Sequence, residues 1–127
     1  MPAYDAELFS PPAPLAHVTL RHLKTGVAVH DVPMLIDCGA DATLIPKTCA
    51  TQLGVSLDAD RIYELTGFDG TSSVARSVQL DLLFPNGTFE GRFMLIDQAW
   101  GVLGRNILNH VALLLDGPKR TWIEFSH

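Results

Sequence analysis

Along LAHVTLRHL, apolar and polar positions alternate. Leu15, His17, Thr19 and Arg21 fall on one side, and Ala16, Val18, Leu20 and His22 on the other. A period of two puts successive side chains on opposite faces of a strand. KTG then reads as a turn and VAVHDVPMLI as the returning strand of a hairpin. Residues 47–54, KTCATQLG, predict one or two helical turns ending on Gly54. IYELTGFDGTSSVARSV predicts a second hairpin, with the polar tip Gly67-Phe68-Asp69-Gly70. VQLDLLF and TFEGRFMLI form a third, with Asn86-Gly87 as its turn signal. WGVLG reads as a short apolar strand, RNILNHV as a helix of about two turns, DGPK as a turn and TWIEF as a last short strand. Many short strands with frequent turn signals predict a mostly β barrel or sandwich.

Residues 1–14 hold four of the eight prolines and read as an extended arm, leaving 15–127 as one folded domain. With 127 residues, 47% hydrophobic and 18% charged, the chain is sized and composed for a single core. The net charge of -5 and scattered Lys and Arg argue against nucleic acid as a partner. The two cysteines, Cys38 and Cys49, form no disulfide framework, so a reducing, cytoplasmic compartment is the simpler expectation. MPAYDAELFSPPAP lacks the basic start and apolar run of a signal peptide, and no stretch has the length of a membrane span. No membrane partner is expected for this chain.

MLIDCGADATLIP, residues 34–46, drives an apolar strand into a carboxylate. Such groups are rarely buried unpaired. At the end of an apolar strand and two residues before Gly39, Asp37 is held rigidly and partly desolvated, which suits general acid–base chemistry. The competing reading is that Asp37 caps its own turn through backbone amides. A second stretch, WGVLGRNIL, is an apolar strand that stops at Gly104-Arg105-Asn106 and becomes a helix.

Together, Leu35-Ile36-Asp37-Cys38-Gly39-Ala40-Asp41 and Val102-Leu103-Gly104-Arg105-Asn106 resemble the two motifs of the retropepsin family, the single-lobe aspartic proteases of retroviruses and their cellular and bacterial relatives. The resemblance spans roughly residues 15–125. It implies a mostly β fold: a closed single-lobe barrel with one short C-terminal helix and a flap hairpin, working as a homodimer. Asp37 would be the catalytic residue, on a loop with Cys38, Gly39 and Ala40. Asp41, Gly104, Arg105 and Asn106 would support that loop, with Arg105 bonded to Asp41. Leu35, Leu44, Val102 and the flap residues Gly67, Phe68, Asp69 and Gly70 would contact an extended peptide. The chain carries one Asp-x-Gly-Ala, so the second carboxylate of a water-activating pair must come from a second copy. No metal or other cofactor is called for.

Cys38 departs from the pattern, which has Thr or Ser. In the family that hydroxyl braces the two loops across the dimer axis, and a thiol is a weaker donor and acceptor. A cysteine nucleophile is the other chemical reading, although His17, His22, His30, His110 and His127 show no spacing that locates a base or a metal site. Trp100 and Trp122 read as core or interface anchors. The expected function is a homodimeric aspartic endopeptidase acting on apolar peptide segments. The alternative is a retropepsin-like dimerisation or peptide-binding domain with little or no proteolysis.

Overall fold

The computed structural model describes residues 2–55, 62–66, 72–84 and 87–125, with the backbone alone at 62–66 and 72–76. Its elements are β1 (Tyr4–Asp5), β2 (Ala13–Arg21), β3 (Ala28–Ile36), β4 (Leu44–Pro46), α1 (Lys47–Leu53), β5 (Ile62–Thr66), β6 (Ser72–Phe84), β7 (Gly87–Ile96), β8 (Gly101–Leu103), α2 (Arg105–Leu108), β9 (Ala112–Asp116) and β10 (Thr121–Phe125). The main sheet runs β1-β2-β3-β8-β4-β7-β6-β5, and an added β2–β6 pairing closes β2, β3, β8, β4, β7 and β6 into a six-stranded barrel. Closure leaves these strands without open edges. β9 and β10 form a separate antiparallel hairpin.

The first predicted hairpin is present as β2–β3, in register from Leu15↔Leu35 to Arg21↔Ala28 with a bulge between Val18 and Leu20. Ala16, Val18 and Leu20 point into the core and His17 is exposed, as the alternation requires. The second and third hairpins share one strand. β6 runs thirteen residues, pairing with β5 through Ile62↔Arg76 to Thr66↔Ser72 and with β7 through Ser77↔Met94 to Phe84↔Gly87. No glycine or proline stands between Ser72 and Phe84 to interrupt it.

Helix α1 ends as expected on Gly54, at φ 70°, and the amides of Gly54 and Val55 reach the carbonyls of Thr51 and Ala50 at 3.2 and 3.3 Å. Helix α2 is four residues rather than two turns. His110 N–H to Ile107 O (2.9 Å) and Val111 N–H to Leu108 O (3.3 Å) tighten its end, and the chain turns there, letting Val111 and Leu113 pack against the core.

The N-terminal arm lies along the barrel. Tyr4 N–H donates to Arg120 O (2.9 Å), Trp122 N–H to Pro2 O (3.2 Å), and β1 pairs with the start of β2, which already begins at Ala13. Leu20, Met34, Ile45, Leu80, Leu82 and Leu103 have no exposed surface, each burial stabilising the fold by roughly 1.5–3 kcal/mol. Trp122 is a core residue whose Nε1 donates to Leu15 O at 3.0 Å. Trp100 is half-buried, edge-on to Phe9 of the arm with ring centroids 4.8 Å apart. Among the described residues no helix is long and apolar enough to cross a membrane.

Candidate active site

Asp37 stands where β3 runs out into its loop. Its amide donates to Leu103 O (3.1 Å), which ties the loop to β8, and its carbonyl accepts the Ala40 N–H (3.1 Å). Its Oδ1 accepts the Gly39 N–H at 2.9 Å. The turn-capping bond is therefore real and fixes the carboxylate's orientation. It occupies one oxygen, and Oδ2 takes no hydrogen bond from a described residue. A Cβ on Gly39 would lie 3.1 Å from Asp37 Oδ1, a tight contact to which the carboxylate would have to give by a few tenths of an ångström. The φ of Gly39 is not among the positive ones.

The second motif packs directly against this loop. β8 lies between β3 and β4, parallel to β3 and antiparallel to β4, with Val102 opposite both Leu35 and Leu44. Paired positions share a sheet face, so these three expected peptide-contacting residues form one row, two residues before Asp37. Val102 is 8% exposed, and Leu35 and Leu44 are half-buried. A Cβ on Gly104 would run into the carbonyl of Ala42. Arg105 N–H donates to Ala40 O at 2.8 Å, placing the start of α2 on the Asp37 loop.

The pairing expected between Arg105 and Asp41 is absent. Arg105 Nη1 instead donates to the carbonyls of Cys38 (3.1 Å) and Gly39 (3.5 Å), and Asp41 is exposed without an ion pair to it. The bond from the Arg105 amide to Ala40 sets the side chain over the loop's own carbonyls, while Asp41 keeps its hydration, the usual preference of a surface charge. Arg105 still ties the helix to the loop, through backbone acceptors.

Thr43 is a supporting residue that the sequence reading missed. It is 1% exposed, its Oγ1 accepts the Gly104 N–H (3.0 Å), and it donates to Asn106 Oδ1 (2.6 Å). One buried hydroxyl thus links the first motif to both ends of Gly104-Arg105-Asn106. The available signal was a lone polar residue opening the apolar run LIP, since such a group needs a partner when buried. Thr43→Val is expected to lower stability by about 2 kcal/mol by leaving the Gly104 amide and the Asn106 carbonyl unpaired. Thr43→Ser should recover most of the loss, and urea unfolding of the two variants checks it.

Cys38 is exposed, and no histidine among the described residues hydrogen-bonds to it. It lines a cavity of about 190 Å³ with Ile36, Leu108, Val111, Leu113 and Leu115. Cys49 is a core residue, and burial pushes its thiol pKa up against a smaller opposing effect of the Thr48 hydrogen bond. The expected flap contacts Gly67, Phe68, Asp69 and Gly70 lie outside the described residues, between the paired strands β5 and β6.

A closed barrel whose Asp-x-Gly loop is braced by a Gly-Arg-Asn turn defines a retropepsin-like aspartic protease fold. Residues 23–110 match the family described as "gag-polyprotein putative aspartyl protease", and the chain belongs to that family. Its fold is similar to that of the EIAV protease solved with the inhibitor HBY-793, with a TM-score of 0.56 and 20% identity over 77% of this chain and 86% of that one. Among curated protein sequences there is no match.

Proposed function

We propose that the chain is an aspartic endopeptidase that works as a homodimer, each copy contributing Asp37. The observation that carries this is the single Asp37 carboxylate, oriented by Gly39 through Oδ1 and open at Oδ2, on a loop braced from behind by Thr43, Gly104 and Arg105. Two such carboxylates brought together cannot both ionise cheaply, so they hold one proton between them. The charged one takes a proton from a water, and the neutral one donates a hydrogen bond to the scissile carbonyl as negative charge develops there. High pH removes the acid and low pH removes the base, so the rate falls on both sides of an acidic optimum. The row Leu35–Val102–Leu44 supports a preference for extended peptides with apolar side chains beside the cut.

A second reading, a peptide-binding or dimerisation domain with little proteolysis, draws on Cys38. Its thiol stands where the family's hydroxyl braces the dimer, and Arg105 holds only its backbone carbonyl. Digestion of a peptide library, followed by mass spectrometry with and without a pepstatin-type inhibitor, separates the two. Inhibitor-sensitive cuts between apolar residues support the peptidase. Peptides retained uncut support the binding module.

A further inference from the structure

We propose that Phe9 and Trp100 are specificity-determining residues. They form an aromatic wall at one end of the row Leu35–Val102–Leu44, and the wall seats one large apolar side chain, aromatic by preference, of an extended peptide. This rests on the peptidase reading above and names a side-chain class that the groove selects, with part of the selection made by the N-terminal arm rather than by the barrel.

The row lies outside the barrel's core. Met34 is fully buried, and a Cβ on its β8 partner Gly101 would run into the Met34 side chain. Gly101 therefore faces inward, and the alternation of an extended chain turns its neighbours Trp100 and Val102 to the outer face. On that face Leu15 opposes Leu35, Leu35 opposes Val102, and Val102 opposes Leu44. Leu15 and Val102 are 4% and 8% exposed, yet neither belongs to the cluster that fills the barrel. The apolar surface they share is a second, outer cluster.

The arm is built onto this outer face. Tyr4 and Asp5 pair with Pro14 and Ala13, and Leu15 N–H donates to Ala3 O at 3.4 Å. Asp5 Oδ1 accepts the amides of Glu7 (2.9 Å) and Leu8 (2.7 Å), which turns the chain back on itself. Phe9 then meets Trp100 with ring centroids 4.8 Å apart and planes at 65°, an edge-to-face pair. Gln98 Nε2 donates to Trp100 O at 2.9 Å and fixes the loop that carries the tryptophan.

Neither ring is used up by the fold. Both are half-buried and outside the core cluster, and Leu8 beside them is 51% exposed. Trp100 stands two residues before Val102, about 7 Å along an extended chain. That spacing equals the distance between same-side side chains of an extended peptide. A peptide with one side chain against Val102 can set another against the two rings. Their edges and faces reward an aromatic or large aliphatic group over a small or polar one.

A positional peptide library read by mass spectrometry tests this on the full chain. Wild type is expected to prefer an aromatic side chain over alanine at one position. Phe9→Ala and Trp100→Ala should each reduce that preference about tenfold, through KM with kcat little changed, and leave the preferences at other positions alone. Phe9→Leu should keep the preference for large aliphatic side chains and lose part of the aromatic one. Leu23→Ala, at a residue 38% exposed and away from the arm, should leave the profile unchanged. An unaltered profile in both ring variants overturns the wall and leaves the peptidase standing. A change in rate that is uniform across all peptides, up or down, would make the arm a lid or a brace and overturns the wall too. Retention of the same library on Asp37→Asn separates the two readings. If wild type cuts nothing while retention of aromatic peptides depends on Phe9, the wall stands and the peptidase falls. If nothing is cut or retained, both fall.

Discussion

Replacing Asp37 with asparagine is expected to reduce cleavage by roughly a thousandfold or more while leaving fold and dimer intact. The asparagine carbonyl can still accept the Gly39 N–H that Oδ1 now accepts at 2.9 Å, so the loop keeps its shape. The amide cannot take a proton from water, and a pair of amides has no proton to share. The measurement is kcat/KM on a peptide that the wild type cuts, with thermal melting alongside. Activity within tenfold of wild type would move the chemistry to another group, Cys38 first among them.

Gly104→Ala should be the most damaging single methyl in the chain's second motif. Its Cβ would overlap the backbone carbonyl of Ala42, which no rotamer change can relieve. Overpacking against backbone costs about 3 kcal/mol. The shift it forces would also disturb Gly104 N–H to Thr43 Oγ1 and the neighbouring bonds Arg105 N–H to Ala40 O and Asp37 N–H to Leu103 O. Stability and rate should fall together. Gly117→Ala is the control, because a Cβ there meets nothing within 4 Å and should change stability by no more than about 0.5 kcal/mol. Chemical denaturation of both variants decides it, and an unaffected Gly104→Ala would show that the Ala42 loop yields easily.

The elements legible in advance are those whose signals are local. Period-two alternation marked β2, the KTG turn marked β3 as its returning strand, Asn86-Gly87 marked the β6–β7 turn, and Gly54 marked the end of α1. The parallel pairings β3–β8 and β4–β7 join segments far apart in the chain, and no local pattern specifies them. At the site, Asp37 stood out because an acid after an apolar strand is unusual in itself, and Gly104 because its stretch resembles the second retropepsin motif. The partner of Arg105 was misjudged for a physical reason. Its acceptors are the backbone carbonyls of Cys38 and Gly39, which every residue carries and no letter of the sequence distinguishes. Thr43 was overlooked because its role depends on an amide 61 positions away.

Subunit mixing tests the shared site most directly. Wild-type chain at fixed concentration is equilibrated with increasing Asp37→Asn chain, and peptide cleavage is followed. If each active site takes one Asp37 from each of two copies, mixed dimers are inactive, and a ninefold excess of the variant should cut activity to about one-tenth by random pairing. Activity unchanged by the excess, with mixed dimers shown to form, would mean that one chain carries a complete site.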